Sequence, residues 1–159
     1  MYGIWPSYET RTAPTYFSNP TLFERDRPIF KQFIPVLKAI NYAGWEPLTY
    51  ANASDTRGPE AGGFSIERFG SVAHGSVFWT LRRAEPLHVV APGARPVRLT
   101  LHTAALGLAP RAEGYAIVEI AQPGSAVIAP VVVAPTAATA DVQLPDLPHN
   151  ATFVLQLKA

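Results

Sequence analysis

The stretch from Tyr16 to Tyr50, YFSNPTLFERDRPIFKQFIPVLKAINYAGWEPLTY, decides how the rest of the chain is read. It is the one strongly helical passage: Ile29, Phe30, Phe33, Ile34, Leu37 and Ile40 recur at helical spacing and form a face that has to be buried. Asn19-Pro20 opens it with an N-cap amide and a proline at the first helical position, where the missing N–H costs nothing. Asp26-Arg27-Pro28 repeats that signal. The pattern predicts a short first turn over Thr21–Arg25, a break, and a main helix from Pro28 to Tyr42 closed by Gly44. Pro35 falls inside it and is expected to remove a backbone hydrogen bond and bend the helix, at about 3 kcal/mol for an unadapted site.

After Glu46-Pro47 the apolar period changes from helical to alternating. Leu48–Ala51 reads as a strand, and the polar, glycine-rich run from Ala51 to Gly63 reads as a boundary. The chain is thereby divided into an aromatic loop and helix over residues 1–51 and a β-domain over residues 64–159. FSIERFG (64–70) puts Phe64, Ile66 and Arg68 on one face and Ser65, Glu67 and Phe69 on the other; with SVFWTLRR (76–83) and the turn Ser71–Gly75 it makes a hairpin. PLHVVA, PVRLTLHTA, GYAIVEIA, AVIAPVVVA, TADVQL and ATFVLQL follow, each bounded by turn residues. Regular short strands without helices between them predict a mainly β fold, an antiparallel β-sandwich of about eight strands with an N-terminal aromatic loop and one long helix packed on it. Prolines 86, 96, 130, 135 and 145 fall mostly at strand starts and edges, where a missing donor does least harm.

Composition narrows the chemistry. The 159 residues carry a formal net charge of +1 with scattered basic residues, which argues against a nucleic-acid footprint. No run approaches the ~20 apolar residues of a membrane span, and the first residues lack the charged-then-apolar pattern of a signal peptide. The expectation is a soluble protein with no membrane or nucleic-acid partner, its compartment open. With no cysteine, disulfides and thiolate chemistry are excluded. The opening at Met1, reaching Trp5-Pro6 with no lead-in strand or cap, reads as a chain joined midway.

The series GIWPSY (3–8), the helical stretch above ending in AGWEP, then IERFG (66–70) and VFWTLRR (77–83) resembles the C-terminal end of bacterial glycoside hydrolases built from a (β/α)8 barrel and an antiparallel β-sandwich. The resemblance covers Tyr2 to Arg83, about half the chain. It implies that the long helix corresponds to the last barrel helix and that the catalytic barrel strands are missing. A carbohydrate-related protein follows, a glycan-binding or accessory remnant with an oligosaccharide or polysaccharide as its partner.

Candidate chemistry is sparse. Trp5, Tyr8 and Tyr16 in the N-terminal loop either cover the end of the core or offer a stacking surface for a sugar ring. Glycoside hydrolysis needs two carboxylates about 5 to 9.5 Å apart, and Glu9, Glu46 and Glu67 are the candidates if the chain is itself a small glycan-active enzyme. Glu24 and Asp26 are better read as helix-start charges paired with Arg25 or Arg27, and Glu67 as an ion-pair partner of Arg68. His88 and His102 on neighbouring predicted strands, with Glu119, form the weak candidate metal site, the histidines otherwise lacking ligand spacing. No nucleophile elbow, phosphate loop or dinucleotide fingerprint is present, so no cofactor is expected. The third reading is a structural or assembly β-domain that forms a homodimer through the apolar helix or through an edge strand such as AVIAPVVVAP (126–135).

Overall fold

A computed structural model describes residues 20–56, 63–84, 93–121, 126–131, 137–148 and 151–159. Helix α1 (Pro20–Ala43) is followed by β1 (Trp45–Glu46), β2 (Ala51–Asp55), β3 (Gly63–Ser71), β4 (Ser76–Ala84), β5 (Arg95–Leu101), the single-turn helix α2 (Thr103–Leu106), β6 (Tyr115–Glu119), β7 (Ala126–Val131), β8 (Ala140–Leu147) and β9 (Thr152–Lys158). Among the described residues these make a six-stranded sheet in the order β1-β3-β4-β9-β6-β7 and a three-stranded sheet in the order β2-β5-β8. Every pairing is antiparallel. The mainly β antiparallel sandwich with one long helix is therefore the fold of this chain.

Alternation builds the core. Val97, Leu99 and Leu101 of β5 and Ala140, Val142 and Leu144 of β8 point inward, while Arg98, Asp141 and Gln143 between them stay at the surface. They meet Val77, Trp79, Leu81, Ile117, Val131 and Leu155 from the six-stranded sheet in one cluster. Trp79 is fully buried, and its indole N–H donates to the Thr49 carbonyl at 2.9 Å, so the largest core side chain leaves no unpaired donor. Asp55 and Arg95 bring charge to the end of the three-stranded sheet, Arg95 Nη1 lying 3.8 Å from a fully enclosed Asp55 carboxylate.

Several boundaries differ from those the sequence predicts. The strand expected at Leu48–Ala51 begins at Ala51 and runs to Asp55, pairing with β5. Trp45-Glu46 already pairs with β3, so the sheets take in chain on both sides of Pro47. The end of PVRLTLHTA turns into α2, closed by Gly107 at φ +73°. Pro96 sits beside the register irregularity between Arg95 and Val97, and Pro130 and Pro145 lie on the edge strands β7 and β8. The predicted strand 86–91 lies outside the described residues, as does the N-terminal aromatic loop.

Helix α1 is continuous through Pro28 and Pro35, without the expected break at Asp26. The reason lies in the side chains that would have capped a second helix. Asp26 is held by Arg25, Nε to Oδ1 at 2.6 Å, and Arg27 by Glu24 at 3.1 Å, so these charges pair along the helix surface as expected and leave no cap. Each proline removes one i→i−4 bond, and the turns on either side carry the helix across.

At about 100° per residue, Ile29, Phe33, Val36 and Ile40 fall within about 60° of one another and form one stripe. Its second half is covered: Val36 and Ile40 are buried on Phe69, Phe78, Ala121 and Val154, the outer face of the six-stranded sheet. Its first half is open, with Ile29 54% and Phe33 40% exposed. Of the face expected to be buried, Ile40 is buried, Phe30, Ile34 and Leu37 are half-buried and only Ile29 and Phe33 are exposed; the sheet ends near Ala121, whose carbonyl accepts a 2.6 Å hydrogen bond from the Gln32 amide. Where helix and hairpin meet, Gly70 N–H donates to the Gly44 carbonyl at 2.8 Å. Gly70 has φ +74°, and a Cβ there would run into the Ser76 carbonyl oxygen and stand 3.0 Å from the Ala43 Cβ.

Candidate functional site

The register of β3, β4 and β9 sorts the hairpin's polar residues onto two faces. Arg68 stands opposite Trp79 and Glu46, all facing inward, and Glu67 stands opposite Thr80 on the outer face. Arg68 is 5% exposed. Its guanidinium donates to the Leu48 carbonyl at 2.6 Å and the Gly70 carbonyl at 2.9 Å, approaches Glu46 Oε2 at 3.4 Å, and lies 4.7 Å from the centre of the Tyr50 ring. Tyr50 itself holds a left-handed backbone, φ +48°, a conformation costing an L-residue about 1–2 kcal/mol. This group folds the Pro47–Tyr50 connection over the end of the core. It is a structural fastening: every described donor of Arg68 is directed at backbone or at Glu46. The expected Glu67–Arg68 pair does not form because neighbouring strand residues project to opposite sides.

The outer face carries a polar constellation. Ser65, Arg82 and Thr152 stand directly opposite one another on three adjacent strands, and Glu67 and Thr80 form the next row. The five line a cleft of about 180 Å³. Thr80 is buried at its floor and donates its hydroxyl to Glu67 Oε2 at 3.4 Å, a long hydrogen bond. Val154 ends this row on β9, and beyond it the face is apolar at Phe69 and Phe78, where α1 lies. Ser65, Thr80, Arg82 and Thr152 were not distinguishable in the sequence as a group, since only the strand register brings residues 65, 82 and 152 into one line. The signal was present in the alternation of FSIERFG, but not its partners.

The remaining candidates are dispersed. Glu46 and Glu67 occupy opposite faces of the sheet, so these two carboxylates do not flank a common substrate bond. Glu119 is buried, its Oε1 accepting from the backbone N–H of Ala121 at 2.9 Å and of Val154 at 3.3 Å. His102 precedes α2 and lies 2.9 Å from the Asn52 amide nitrogen. Among the described residues no group of three or more His, Cys, Asp and Glu is placed to hold a metal ion. Glu9, Trp5, Tyr8, Tyr16 and His88 lie outside the described residues. No described helix is long and apolar enough to cross a membrane. Comparison with protein-family models, with curated proteins and with solved structures finds no match.

Proposed function

We propose that this chain is a carbohydrate-related accessory β-sandwich of the glycoside hydrolase lineage, a glycan-binding or docking unit whose catalytic partner is a (β/α)8 barrel seated on the first half of α1. The observation that carries this reading is the half-covered stripe. Ile29 and Phe33 continue the line of Val36 and Ile40 beyond the sheet, and solvent is a poor environment for two large apolar side chains in an ordered row. The helix that bears them is the one whose sequence resembles a last barrel helix, and a barrel would supply the missing cover. The opposite facing of Glu46 and Glu67 speaks against the chain being a hydrolase by that carboxylate pair.

The test is the reading frame directly upstream of the first codon, followed by the protein it encodes. Barrel strands in that frame are expected, and in the joined protein Ile29→Ser with Phe33→Ser should lower the melting temperature although each is nearly neutral in the present chain. A frame closed immediately upstream, together with a stable homodimer lost in the same double variant, overturns the accessory reading in favour of an assembly domain. Release of reducing sugar by the isolated chain, abolished by Glu67→Gln or Glu46→Gln, overturns it in favour of an enzyme.

A further inference from the structure

We infer that the cleft formed by Ser65, Glu67, Thr80, Arg82 and Thr152 is a subsite for one ring of a neutral saccharide. The accessory reading above supplies the ligand class, and the geometry of the outer face supplies the site. At the cleft β4 is paired on both sides, with β3 at Ser65–Arg82 and Glu67–Thr80 and with β9 at Arg82–Thr152, and the residues alternating with the cleft, Ile66, Leu81 and Phe153, pack in the main core. The five polar side chains therefore stand on a scaffold that is ordered before any ligand arrives, which reduces the entropy lost on binding.

Their chemistry matches a polyol. A carboxylate accepts from two neighbouring hydroxyls, a guanidinium donates to hydroxyl or ring oxygens, and the Ser65, Thr80 and Thr152 hydroxyls do either. Charge selects further. The described lining residues include one carboxylate and one guanidinium, so an anion meets Glu67 and a cation meets Arg82, while an uncharged ring meets no like charge. Size agrees: 180 Å³ is about six waters at roughly 30 Å³ each, the scale of one sugar ring. Among the described lining residues no side chain is aromatic, so they supply no stacking and millimolar affinity is expected.

Amide NMR of the full chain tests this, with glucose, xylose and galactose and the disaccharides cellobiose and xylobiose as probes. Saturable shifts centred on residues 65, 67, 80, 82 and 152 are expected, with Arg82→Ala and Glu67→Gln each weakening binding about tenfold or more at an unchanged melting temperature. Should Arg82→Ala lower the melting temperature, Arg82→Gln, which keeps most of the stem, replaces it. Sodium phosphate and ammonium ion serve as charged probes. Saturable binding of either at the same residues in preference to every sugar overturns the neutral-ring assignment. Sugar-induced shifts that centre elsewhere and persist in both variants overturn this site and leave the accessory reading standing. An absence of shifts with all five sugars overturns the subsite as well, while the accessory reading is decided separately by the upstream frame and the Ile29/Phe33 variant.

Discussion

The two halves of α1 carry one apolar stripe but meet different surroundings. From Val36 to Ala43 the helix lies on Phe69, Phe78, Ala121 and Val154, and its end is stitched to the hairpin by the Gly70–Gly44 hydrogen bond. From Pro20 to Phe33 the same helix continues for about 20 Å at 1.5 Å per residue, held along its surface by the Arg25–Asp26 and Arg27–Glu24 pairs, with Ile29 and Phe33 open. The interior prolines do not explain the difference, since α1 is continuous through both Pro28 and Pro35. What differs is the extent of the sheet beneath. The first half is therefore a helix whose stabilising partner is not among the residues that stabilise the second, and most helical stability in proteins comes from such packing.

Substitutions in the covered half should have the largest effects. Ile40→Asp places a carboxylate among Val36, Phe69 and Phe78 with no described cation beside it, and is expected to cost about 4 kcal/mol or more, seen as a large fall in the urea midpoint. A midpoint near that of the parent would mean that the covered half contributes little and that the two halves are alike. Next comes Gly70→Ala. It demands a left-handed backbone from a residue with a Cβ and pushes that atom against the Ser76 carbonyl, so about 3 kcal/mol is expected, with the helix end and the hairpin loosening together. Hydrogen exchange should show the Gly70 amide and the last turn of α1 losing protection in the same variant.

How much of this was legible in the sequence follows from which interactions are local. Alternation in PVRLTL and TADVQL gave the core strands, because Val97, Leu99, Leu101 and Val142, Leu144 are spaced two apart and all turn inward. Glu24, Asp26 and their arginine partners were likewise within one helical turn. The helix stripe was visible as a face, but its division into covered and open halves depends on where Ala121 falls, nearly ninety residues later, as the Gln32 hydrogen bond shows. For the same reason the partner of Arg68 was misassigned: Glu46 reaches it through the β1–β3 pairing, which no spacing within IERFG reveals. The cleft was hidden by register, since Ser65, Arg82 and Thr152 are separated by tens of residues and line up only across three strands.

At the boundary between the halves stands Gln32. Gln32→Ala removes the 2.6 Å bond to the Ala121 carbonyl and should cost about 1 kcal/mol, enough to move the urea midpoint measurably. The smallest effect belongs to the open half and is the most informative. Ile29→Ser with Phe33→Ser alters side chains that are 54% and 40% exposed, and each change should stay within about 0.5 kcal/mol of the parent in urea unfolding of a monomeric sample. Val36→Ala, on the same stripe but buried, should cost several times more. If the double variant instead destabilises the chain as strongly as Val36→Ala, Ile29 and Phe33 already have a partner within this molecule, the contrast between the halves disappears, and with it the physical reason for assigning the first half to a barrel.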